Sequence, residues 1–522
     1  MQTFDALNVQ LWQQIIRSIP EEMGVALERT AFSPNIRERR DHSCAIFLAD
    51  GKMFSQAAHI PVHLGAMPLM MESLLEKIDW RPGDMWLCND PAHGGTHLPD
   101  FTLIAPIFSG SDRIGFVANR AHHADIGGMS PGSLPLSTEI YQEGLILPPV
   151  RLVRGNRVDP DILAIIRANS RTGDERIGDS KAQVSSNRLG QKLFQRLYED
   201  WGTEVWTSRC TQLFAHSKAI LEQEINKCVH GTYTFEDYLD DDGQGNLDIP
   251  IRVALTVGNA KLTFDFAGSA PQVDGSLNCT LAVTRSACYY LARCLIEADV
   301  STNAGLLECV DAIVPEGSIL NADPRAAVSA GNVETSQRIV DVIFGAMAQC
   351  LPDRIPAASQ GTMNNLLIGG WDPHRNRSFS YYETICGGAG ASAEMSGESA
   401  IQIHMTNTLN TPIEVLESHY PVRLRQVAIR RGSGGKGTHN GGDGIERTLE
   451  LTADAVVTII SERRTRRPYG LIGAIGGSMG SNSLTIPDGG RKAMPGKFSR
   501  ALKAGTIIEI QTPGGGGWGK SD

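Results

Sequence analysis

The sequence predicts an α+β, multi-domain protein with a mixed N-terminal region, a helical middle stretch and a β-rich, glycine-rich C-terminal region. A chain of 522 residues is longer than one hydrophobic core usually serves, so two or three domains are expected. Apolar residues recur at helical spacing between Asp159 and Val229. Glycine, with 55 residues in all, is concentrated after position 360, where short apolar runs alternate with turns. The composition suggests three regions: 1–230 is the N-terminal region and includes the helical stretch as an extension, 231–330 is an α/β middle region, and 331–522 is the β-rich C-terminal region.

The N-terminal region alternates helical and extended patterns. Apolar residues at helical spacing predict a helix over Phe4–Thr30 that breaks at Pro20, because proline lacks the amide proton that a helix interior uses. A strand is predicted over Ser43–Leu48 and a helix over Leu64–Lys77. The methionines of this second helix are interpreted as core filler, since methionine packs into irregular apolar gaps.

Two apolar runs, Phe101–Phe108 and Ile114–Asn119, predict a β-hairpin around the turn Ser109–Arg113. If the last residue of the first arm faces the first residue of the second, the numbers of paired residues sum to 222. Asp100 then lies opposite His122, and directly opposed residues point to the same face with Cβ atoms about 5 Å apart. Pro106 indicates an edge or bulged strand, and a bulge that shifted the register would place His123 beside Asp100 instead.

The stretch from Cys88 to Asp125 is rich in groups that bind metals. Four histidines and four aspartates occur in it: His93, His97, His122, His123, Asp90, Asp100, Asp112 and Asp125. Imidazole and carboxylate groups that converge at strand ends suit a borderline divalent metal ion. The hypothesis is therefore a metal centre in the N-terminal region.

Further along, two or three helices are predicted across Asp159–Val229 with a break near Gly202. The acidic segment Asp240–Asn246 lacks the closing bidentate glutamate of a calcium loop, so we interpret it as a hairpin turn. The remaining predicted elements are two strands and two helices, over Ile249–Val257, Lys261–Phe266, Ala282–Ala298 and Ser336–Gln349.

The charge and the apolar runs bear on partners and compartment. The net charge of −10 and the isoelectric point near 5.8 argue against nucleic acid or an anionic membrane as a partner. No apolar run approaches the roughly 20 residues of a spanning helix, and the N-terminus lacks the pattern of a secretory signal. The ten cysteines form no C-x-x-C pair, so free thiols in a reducing cytoplasm are expected.

Other chemical motifs are weaker. Gly432–Gly442 and Gly470–Gly480 are glycine-rich, but neither has the spacing of a phosphate-binding loop or a dinucleotide fingerprint, so both are interpreted as turns. No G-x-S-x-G nucleophile elbow between a strand and a helix is predicted, and no neighbouring base can be named that would activate Cys386. Four clustered arginines are interpreted as a solvated or subunit-facing patch: Arg463, Arg464, Arg466 and Arg467.

Six segments of the chain carry a family resemblance: ERTAFSPNIRERRDHSCAIF, GDMWLCNDPAHGGTHLPDFTLIAPIF, ANRAHHADIGGMSPGS, EIYQEGLILPPV, GTMNN and QTPGGGGWG. Together they resemble the hydantoinase B/oxoprolinase family from about Asp5 to Gly519. That family comprises subunits of ATP-dependent N-methylhydantoinases, the corresponding half of 5-oxoprolinases, and subunits of acetone and acetophenone carboxylases. Its members work with a hydantoinase A-like partner that binds ATP, which agrees with the lack of a nucleotide motif here.

The resemblance also implies a ligand set for the metal. In the acetone carboxylase relatives an H-x-x-D pair and a histidine twenty-two residues beyond the aspartate hold the ion. These positions fall on His97, Asp100 and His122, and Asp41 in RRDHS is a further candidate ligand by family similarity. Zinc, manganese and iron all suit such nitrogen and oxygen ligands.

The resemblance implies a hydrolase that opens a cyclic amide of the hydantoin or 5-oxoproline type. The ATP-binding partner would phosphorylate the amide oxygen, and the present chain would supply metal-activated water to the carbonyl carbon. His123 or Asp125 is the candidate general base or orienting group, and Glu143 the candidate group for the leaving nitrogen. As alternatives, Asp125 only orients a neighbouring group, and Glu143 only stabilises the conformation of its own loop.

Two other functions stay open at this point. One is a subunit of an acetone or acetophenone carboxylase, although acetone carboxylase counterparts are considerably longer than 522 residues. The other is a non-catalytic subunit whose metal stabilises the fold, in a closed four-coordinate site without an exchangeable position. Under each interpretation the chain is expected to form a hetero-oligomer with the hydantoinase A-like subunit.

Overall fold

The computed structural model describes residues 6–57 and 59–521. Phe4 and Asp5, where the predicted first helix and the family resemblance begin, lie outside the described residues. The helices of the described part are α1 (Ala6–Thr30), α2 (Pro34–Arg37), α3 (Ala66–Leu74), α4 (Pro160–Ala168), α5 (Gly173–Trp201), α6 (Thr203–Asn226), α7 (Leu281–Cys294), α8 (Ala304–Leu307), α9 (Ser336–Met347) and α10 (Ile413–His419).

The N-terminal region is built on one antiparallel sheet of seven strands. They are β1 (His42–Leu48), β2 (Met53–Ala57), β3 (Met85–Cys88), β4 (Asp100–Ser109), β5 (Asp112–His122), β6 (Val150–Arg154) and β7 (Arg157–Val158), in the order β2-β1-β5-β4-β3-β6-β7. Helices α1 and α5 pack on one face and α3 packs on the other. The methionines of α3 are buried against this second face, which confirms that they fill the core.

The first helix continues through Pro20, so the predicted break there is wrong. Proline in a helix interior costs about 3 kcal/mol because one backbone hydrogen bond is lost. Ile16, Ile19 and Met23, on the turns before and after the proline, are all buried against the sheet and its helices. Burial of these apolar side chains before and after Pro20 offsets the cost of the proline. Tertiary packing therefore keeps the helix continuous at this residue.

The β4–β5 ladder sets the geometry of the N-terminal region. It pairs Asp100 with His122, as the sequence predicts, and keeps this register up to Ile107. Beyond that residue the ladder shifts by one and Phe108 faces Arg113, so the predicted pairing of the two arm ends is wrong. The shift lies on the turn side of the hairpin and therefore leaves the Asp100 end unchanged.

β4 is a central strand between β5 and β3, so the prediction that Pro106 marks an edge strand is wrong. β3 pairs only with the part of β4 from Thr102 to Ile104. Pro106 lies beyond this paired stretch, where its missing amide proton costs no bond to β3. The bulge predicted as the alternative does occur next to it, but the register that would bring His123 opposite Asp100 does not.

The helical stretch and the middle region follow the sequence pattern closely. Helices α4, α5 and α6 cover the predicted Asp159–Val229, with the break at Gly202 confirmed. The middle sheet contains β8 (Gly231–Asp241), β9 (Leu247–Gly258), β10 (Lys261–Asp265) and β11 (Val310–Ile313), in the order β11-β10-β9-β8. The acidic segment Asp240–Asn246 joins β8 to β9 as the predicted turn. Helices α7 and α9 pack with this sheet in one core.

The C-terminal region contains two antiparallel sheets with an apolar core between them. One sheet is formed by β12 (Asn365–Asp372), β13 (Arg377–Glu383), β16 (Ala455–Ile460) and β19 (Lys497–Leu502). The other is formed by β14 (Val422–Ile429), β15 (Ile445–Leu451), β17 (Ser481–Thr485), β18 (Arg491–Met494) and β20 (Ile507–Gln511). This mixture of helices and several sheets confirms the α+β class, while the bounds near 230 and 330 stay a prediction.

The C-terminal glycines allow loops to pack backbone against backbone. A Cβ atom on Gly388 would lie 1.9 Å from the carbonyl oxygen of Gly442, and one on Gly515 would lie 1.9 Å from that of Ala389. The amide of Gly515 donates to the carbonyl of Gly442, and the amide of Gly442 donates to that of Ala389. The glycine-rich segment 432–442 therefore packs against protein backbone, in agreement with its interpretation as turns.

Two predictions concern compartment. No helix in residues 6–57 or 59–521 combines the length and the apolar character needed to cross a bilayer. All ten cysteines are free thiols, as expected from their spacing. The cytoplasmic location stays a prediction.

The interpretation of the arginine cluster as a solvated or subunit-facing patch is wrong for Arg463. This side chain is 1% exposed, and its Nη2 lies 2.6 Å from Asp237 and 2.8 Å from Asp341. Asp237 belongs to the middle sheet, so the ion pairs join the middle and C-terminal regions. Arg467 of the same cluster is exposed.

Replacing Arg463 by alanine should strongly destabilise the protein, because two carboxylates would lose their common cation. Breaking a buried pair in this way costs about 3–5 kcal/mol of unfolding free energy. Urea unfolding followed by tryptophan fluorescence measures the loss. Arg467→Ala is the matched control and should change the free energy of unfolding by less than about 0.5 kcal/mol. Equal losses in the two variants would contradict the structural assignment.

Candidate metal centre

Three potential ligands converge where β4 begins and β5 ends. Asp100 is the first residue of β4 and His122 the last residue of β5, and the two are directly paired. His97 lies in the loop before β4, and its backbone carbonyl accepts a hydrogen bond from the amide of Asp100. All three side chains are at most 3% exposed. The structure therefore brings together three of the four residues that the family resemblance implies as metal ligands.

The three ligand atoms form a nearly equilateral triangle. His97 Nε2, Asp100 Oδ1 and His122 Nδ1 are each 3.2 Å from the other two. Adjacent ligands around an ion with bonds of about 2.1 Å are roughly 3.0–3.4 Å apart in tetrahedral or octahedral shells. The spacing and the donor types therefore fit a borderline divalent ion, and we call these three residues the triangle.

Neighbouring groups orient His97 for this role. Its Nδ1–H donates to the backbone carbonyl of Ser329 at 3.1 Å, which leaves the lone pair of Nε2 directed at the triangle. The side-chain amide of Asn332 lies 3.0 Å from the same Nε2. Burial alone would lower the pKa of His97, but the Asp100 carboxylate raises it above its ordinary value.

Asp100 is held as a carboxylate by several partners. Burial would raise its pKa, but His97, His122 and His63 together lower it well below its ordinary value. The hydroxyl of Thr96 donates to Asp100 Oδ2 at 2.6 Å. His63 Nε2 lies 3.4 Å from the same oxygen.

His63 belongs to the site although the sequence pattern does not predict it there. This residue ends the short 3₁₀ turn Pro61–His63, and its Nδ1 is 2.9 Å from the hydroxyl of Ser43 at the start of β1. Burial lowers its pKa, although Asp100 acts in the opposite direction. The only signal in the sequence is the concentration of histidines in the first quarter of the chain, which does not single out one of them.

Asp41, the fourth predicted ligand, lies in the wall of the same cavity. It is 7% exposed, and its backbone carbonyl accepts a hydrogen bond from the amide of His122. Its carboxylate is not part of the triangle. Its role as a ligand therefore stays a prediction.

The cavity at the triangle is small and polar, with a volume of about 20 Å³, enough for roughly one water molecule or ion. Residues of the N-terminal region 1–230 and of the C-terminal region 331–522 line it. Besides the triangle, the lining includes Asp41, His63, Asn332, Met363, Tyr382, Thr384, Met405, Thr406 and Thr408.

Tyr382 of β13 closes one side of the cavity. Its ring stacks on His122 with 4.8 Å between centroids and 25° between planes. The guanidinium of Arg39 lies over the tyrosine ring and donates to the carbonyl of Tyr382 and the hydroxyl of Thr384. Sequence reasoning could not find this contact, because Tyr382 lies far from the hairpin along the chain.

His123, a candidate general base, lies away from the triangle. Its Nε2 is 3.0 Å from the side-chain oxygen of Gln183 in α5, and its ring packs on Phe101 at 4.3 Å. Burial first, and then the Arg176 charge, lower its pKa to about 4. Consecutive residues of an extended chain point to opposite sides, which is why His122 and His123 separate.

Asp125 has the contacts of a loop-organising carboxylate. Its Oδ1 accepts from the backbone amides of Gly127 and Arg171, and its Oδ2 accepts from the amide of Gly132 and the guanidinium of Arg171. Both oxygens are therefore occupied by fixed donors, which favours the orienting role over the catalytic one.

Glu143 lies behind His97 and is fully buried. Its Oε1 accepts from the Ser137 hydroxyl and from the amides of Val328 and Ser329, while Oε2 has no partner among the described residues. Burial raises its pKa to about 7 in spite of these donors. Ser329 thus connects the two residues, since its amide contacts Glu143 and its carbonyl contacts His97.

Cys386 is not activated as a nucleophile. The residue is 8% exposed, and burial raises the pKa of its thiol to about 11. A thiol in this state carries little thiolate at neutral pH. The structure agrees with the expectation that no neighbouring base activates this residue.

Comparison with known proteins adds a family match. A family profile described as Hydantoinase B/oxoprolinase matches residues 5–521. The 5-oxoprolinase 1 of Arabidopsis thaliana is 37% identical over 99% of this chain and 42% of the plant protein. One subunit of a putative D-/L-hydantoinase from a Pseudomonas species is 28% identical over 99% of this chain and 90% of that protein. The chain thus spans about two fifths of the plant 5-oxoprolinase and most of the bacterial protein.

Two solved structures share the fold. The ATP-dependent caprolactamase of Pseudomonas jessenii is 25% identical, with a TM-score of 0.91 over 99% of this chain and 92% of that chain. Nucleotide-free acetone carboxylase has a TM-score of 0.90 over 99% of this chain and 76% of that chain. At 18% identity, this second likeness shows the fold alone.

The raised pKa of Glu143 predicts a pH-dependent contribution to stability. The folded-state pKa of about 7 exceeds the ordinary value of 4.5, so the folded state holds this proton more tightly than the unfolded chain. The contribution is fully present below about pH 4.5 and is lost as the pH rises through about 7.

Glu143→Gln imitates the protonated acid and should not show this loss. Its stability relative to the natural protein should rise between pH 5 and 8 by on the order of 3 kcal/mol, measured as urea midpoints at each pH. Parallel stability curves for the two proteins would contradict the buried, protonated state of Glu143.

Proposed function

This chain belongs to the hydantoinase B/oxoprolinase family, and from that premise we propose that it is the metal-containing subunit of an ATP-dependent hydrolase of cyclic amides. The observation that carries the proposal is the triangle of two imidazoles and one carboxylate in a small polar cavity. Its position between the N-terminal and C-terminal regions is typical of an active site. The relatives named 5-oxoprolinase and caprolactamase support an amide bond in a ring as the target.

His97, Asp100 and His122 would hold the ion, with Asp41 as a fourth candidate ligand. The donor set of nitrogen and oxygen suits zinc, manganese or iron. When bound, the ion would act as a Lewis acid and lower the pKa of a water molecule. Thr96, His63 and Ser329 position the ligands through the hydrogen bonds and close contacts described above.

We assign positioning roles to the carboxylates near the triangle. Glu143 fixes Ser329, whose carbonyl orients His97, and burial raises its pKa to about 7, so that it holds its proton at mildly acidic pH. Asp125 fixes the loop that follows β5. His123 packs under the sheet and leaves the reacting site to other groups.

The chemistry requires a second component. Resonance protects an amide from water, and transfer of the γ-phosphoryl group of ATP to the amide oxygen gives an electrophilic carbon. Water adds to that carbon, and the ring C–N bond then breaks, which gives a free amine and an acyl phosphate. A second water hydrolyses the acyl phosphate to a carboxylate and phosphate, so ring opening consumes one ATP and two waters and leaves ADP and phosphate. We assign the phosphoryl transfer to a hydantoinase A-like partner, since the bacterial hydantoinase relative is named as one subunit of its enzyme and the plant 5-oxoprolinase contains further sequence beyond the matched part.

The small volume of the cavity sets a condition on this reaction. A volume of about 20 Å³ does not admit a lactam ring, so the site must open before the activated substrate can approach. Tyr382 and the segment around Thr406, which line the cavity opposite the hairpin, are the parts that would have to move. Association with the ATP-binding partner is the natural event to drive this opening.

Asp100→Asn should remove the ion bound at the triangle, because the replacement keeps the shape of the side chain but not its charge. Metal analysis should show one ion less per chain, and ATP-dependent ring opening by the reconstituted complex should fall by about 100-fold or more. Asp112→Asn, at the exposed turn of the same hairpin, should change neither quantity. Full activity in an Asp100→Asn complex without this ion would refute the proposed role of the triangle.

The partner proposal is tested by co-purification with the A-like subunit. We expect no ATP hydrolysis by this chain alone, and ATP-dependent opening of hydantoin or 5-oxoproline by the complex. High-performance chromatography of the ring-opened product, with ADP release in the same sample, measures the reaction. Bicarbonate-dependent consumption of a ketone, without ring opening, would favour the carboxylase alternative instead.

A further inference from the structure

A second group of potential ligands lies outside the triangle, on the side of the sheet that faces α1. Glu28 comes from α1, His42 is the first residue of β1, and His59 lies in the connection between β2 and the turn Pro61–His63. One ligand atom from each lies within 4.8 Å of the others. We call these residues the α1 cluster.

His42 is the unusual member of this cluster. Its side chain is 0% exposed, yet neither ring nitrogen has a hydrogen-bond partner among the described residues. Its Nε2 lies 3.4 Å from Glu28 Oε1, and the rings of His42 and His59 meet edge to face with 4.9 Å between centroids. His59 Nε2 is likewise buried without a hydrogen-bond partner among those residues. Buried polar atoms without partners are rare in proteins and call for an unseen water or ion.

Gly24 provides the space beside these rings. A Cβ atom at this position would lie 3.0 Å from His59 Nε2 and 3.3 Å from His42 Cε1. Glycine inside a helix lowers the stability of the helix by about 1 kcal/mol relative to alanine. The space that the two imidazole rings need is a steric reason for Gly24 in α1. Glu28 lies one turn further along the same face of the helix, with its carboxylate directed at the rings.

The charges of the cluster suit a cation. Glu28 Oε2 lies 3.4 Å from Arg40, which leaves Oε1 for the imidazoles. A cleft of about 340 Å³ reaches His59 from the surface and gives an ion a way in.

We propose that Glu28, His42 and His59 bind a second divalent transition-metal ion, of the zinc type, independently of the triangle. Two imidazole nitrogens and one carboxylate oxygen form a set of three ligands that zinc accepts. Calcium and magnesium prefer ligand shells made of oxygen and are therefore excluded as natural occupants. A bound ion would give the imidazole nitrogens the partner that they lack among the described residues.

The ion would stabilise the segments that carry Asp41 and His63, two residues beside the triangle. His42 adjoins Asp41, which lines the triangle cavity, and His59 precedes His63, which contacts Asp100. An ion that joins His42 and His59 to α1 would fix the backbone beside Asp41 and the backbone before His63. The bound ion is thus a structural element that supports the first site without reaching its reacting atoms.

The experiment measures zinc bound by the full chain after removal of metal by a chelator, reloading with zinc and gel filtration. The natural sequence should retain two ions per chain and Asp100→Asn one. Adding His59→Ala to Asp100→Asn should leave none, and adding His230→Ala, an exposed histidine, should leave one. Zinc should also raise the thermal midpoint of Asp100→Asn but not that of Asp100→Asn/His59→Ala.

Glu28→Gln is the second variant, since it keeps the size of the side chain if His59→Ala fails to fold. In the Asp100→Asn background it should lower the affinity for zinc at least tenfold by calorimetric titration. Folded Asp100→Asn that retains no ion, or unchanged zinc binding in both cluster variants, would overturn the proposal. Neither result touches the role of the triangle, which the activity of Asp100→Asn with its partner decides separately.

Discussion

The buried negative charge of Asp100 is the constraint on which the organisation of the site depends. A carboxylate that is 1% exposed costs several kcal/mol of desolvation unless charges and donors surround it. His122 reaches it across the β4–β5 ladder, His97 from the loop before β4, and His63 from the turn after β2. The hydroxyl of Thr96 completes the shell. The N-terminal region is arranged so that these separate segments meet at the two oxygens of the Asp100 carboxylate.

The rest of the chain closes this site and is held in place by a second buried charge system. Glu462 accepts from Lys497 at 2.6 Å and from the amide of Asp240 at 2.7 Å, and Arg338 lies 3.7 Å from it. These contacts join β8, α9 and the end of β16, and they fix the middle region against the C-terminal sheets. Ser329 and Tyr382 can therefore stand beside the triangle although they belong to different regions.

Strand geometry divides neighbouring residues between two faces with different tasks. His122 joins the triangle, whereas His123 is bound to Gln183 under the sheet. In the same way, Asp41 lines the triangle cavity, whereas His42 points towards α1 and the other residues of the α1 cluster. In runs of polar residues such as RRDHS and RAHHAD, the alternation of the extended backbone therefore directs neighbouring side chains to opposite faces.

The sequence by itself determined the hairpin, its register at Asp100 and His122, and the family, because these depend on local periodicity and on short motifs in order. It also located the helices α4 to α6 and the break at Gly202. Only the tertiary structure decided that α1 continues through Pro20, that Arg463 is buried, and that His63, Ser329, Asn332 and Tyr382 complete the site. Such contacts join segments up to several hundred residues apart, and their energy comes from packing and burial, which leave no periodic trace in the sequence.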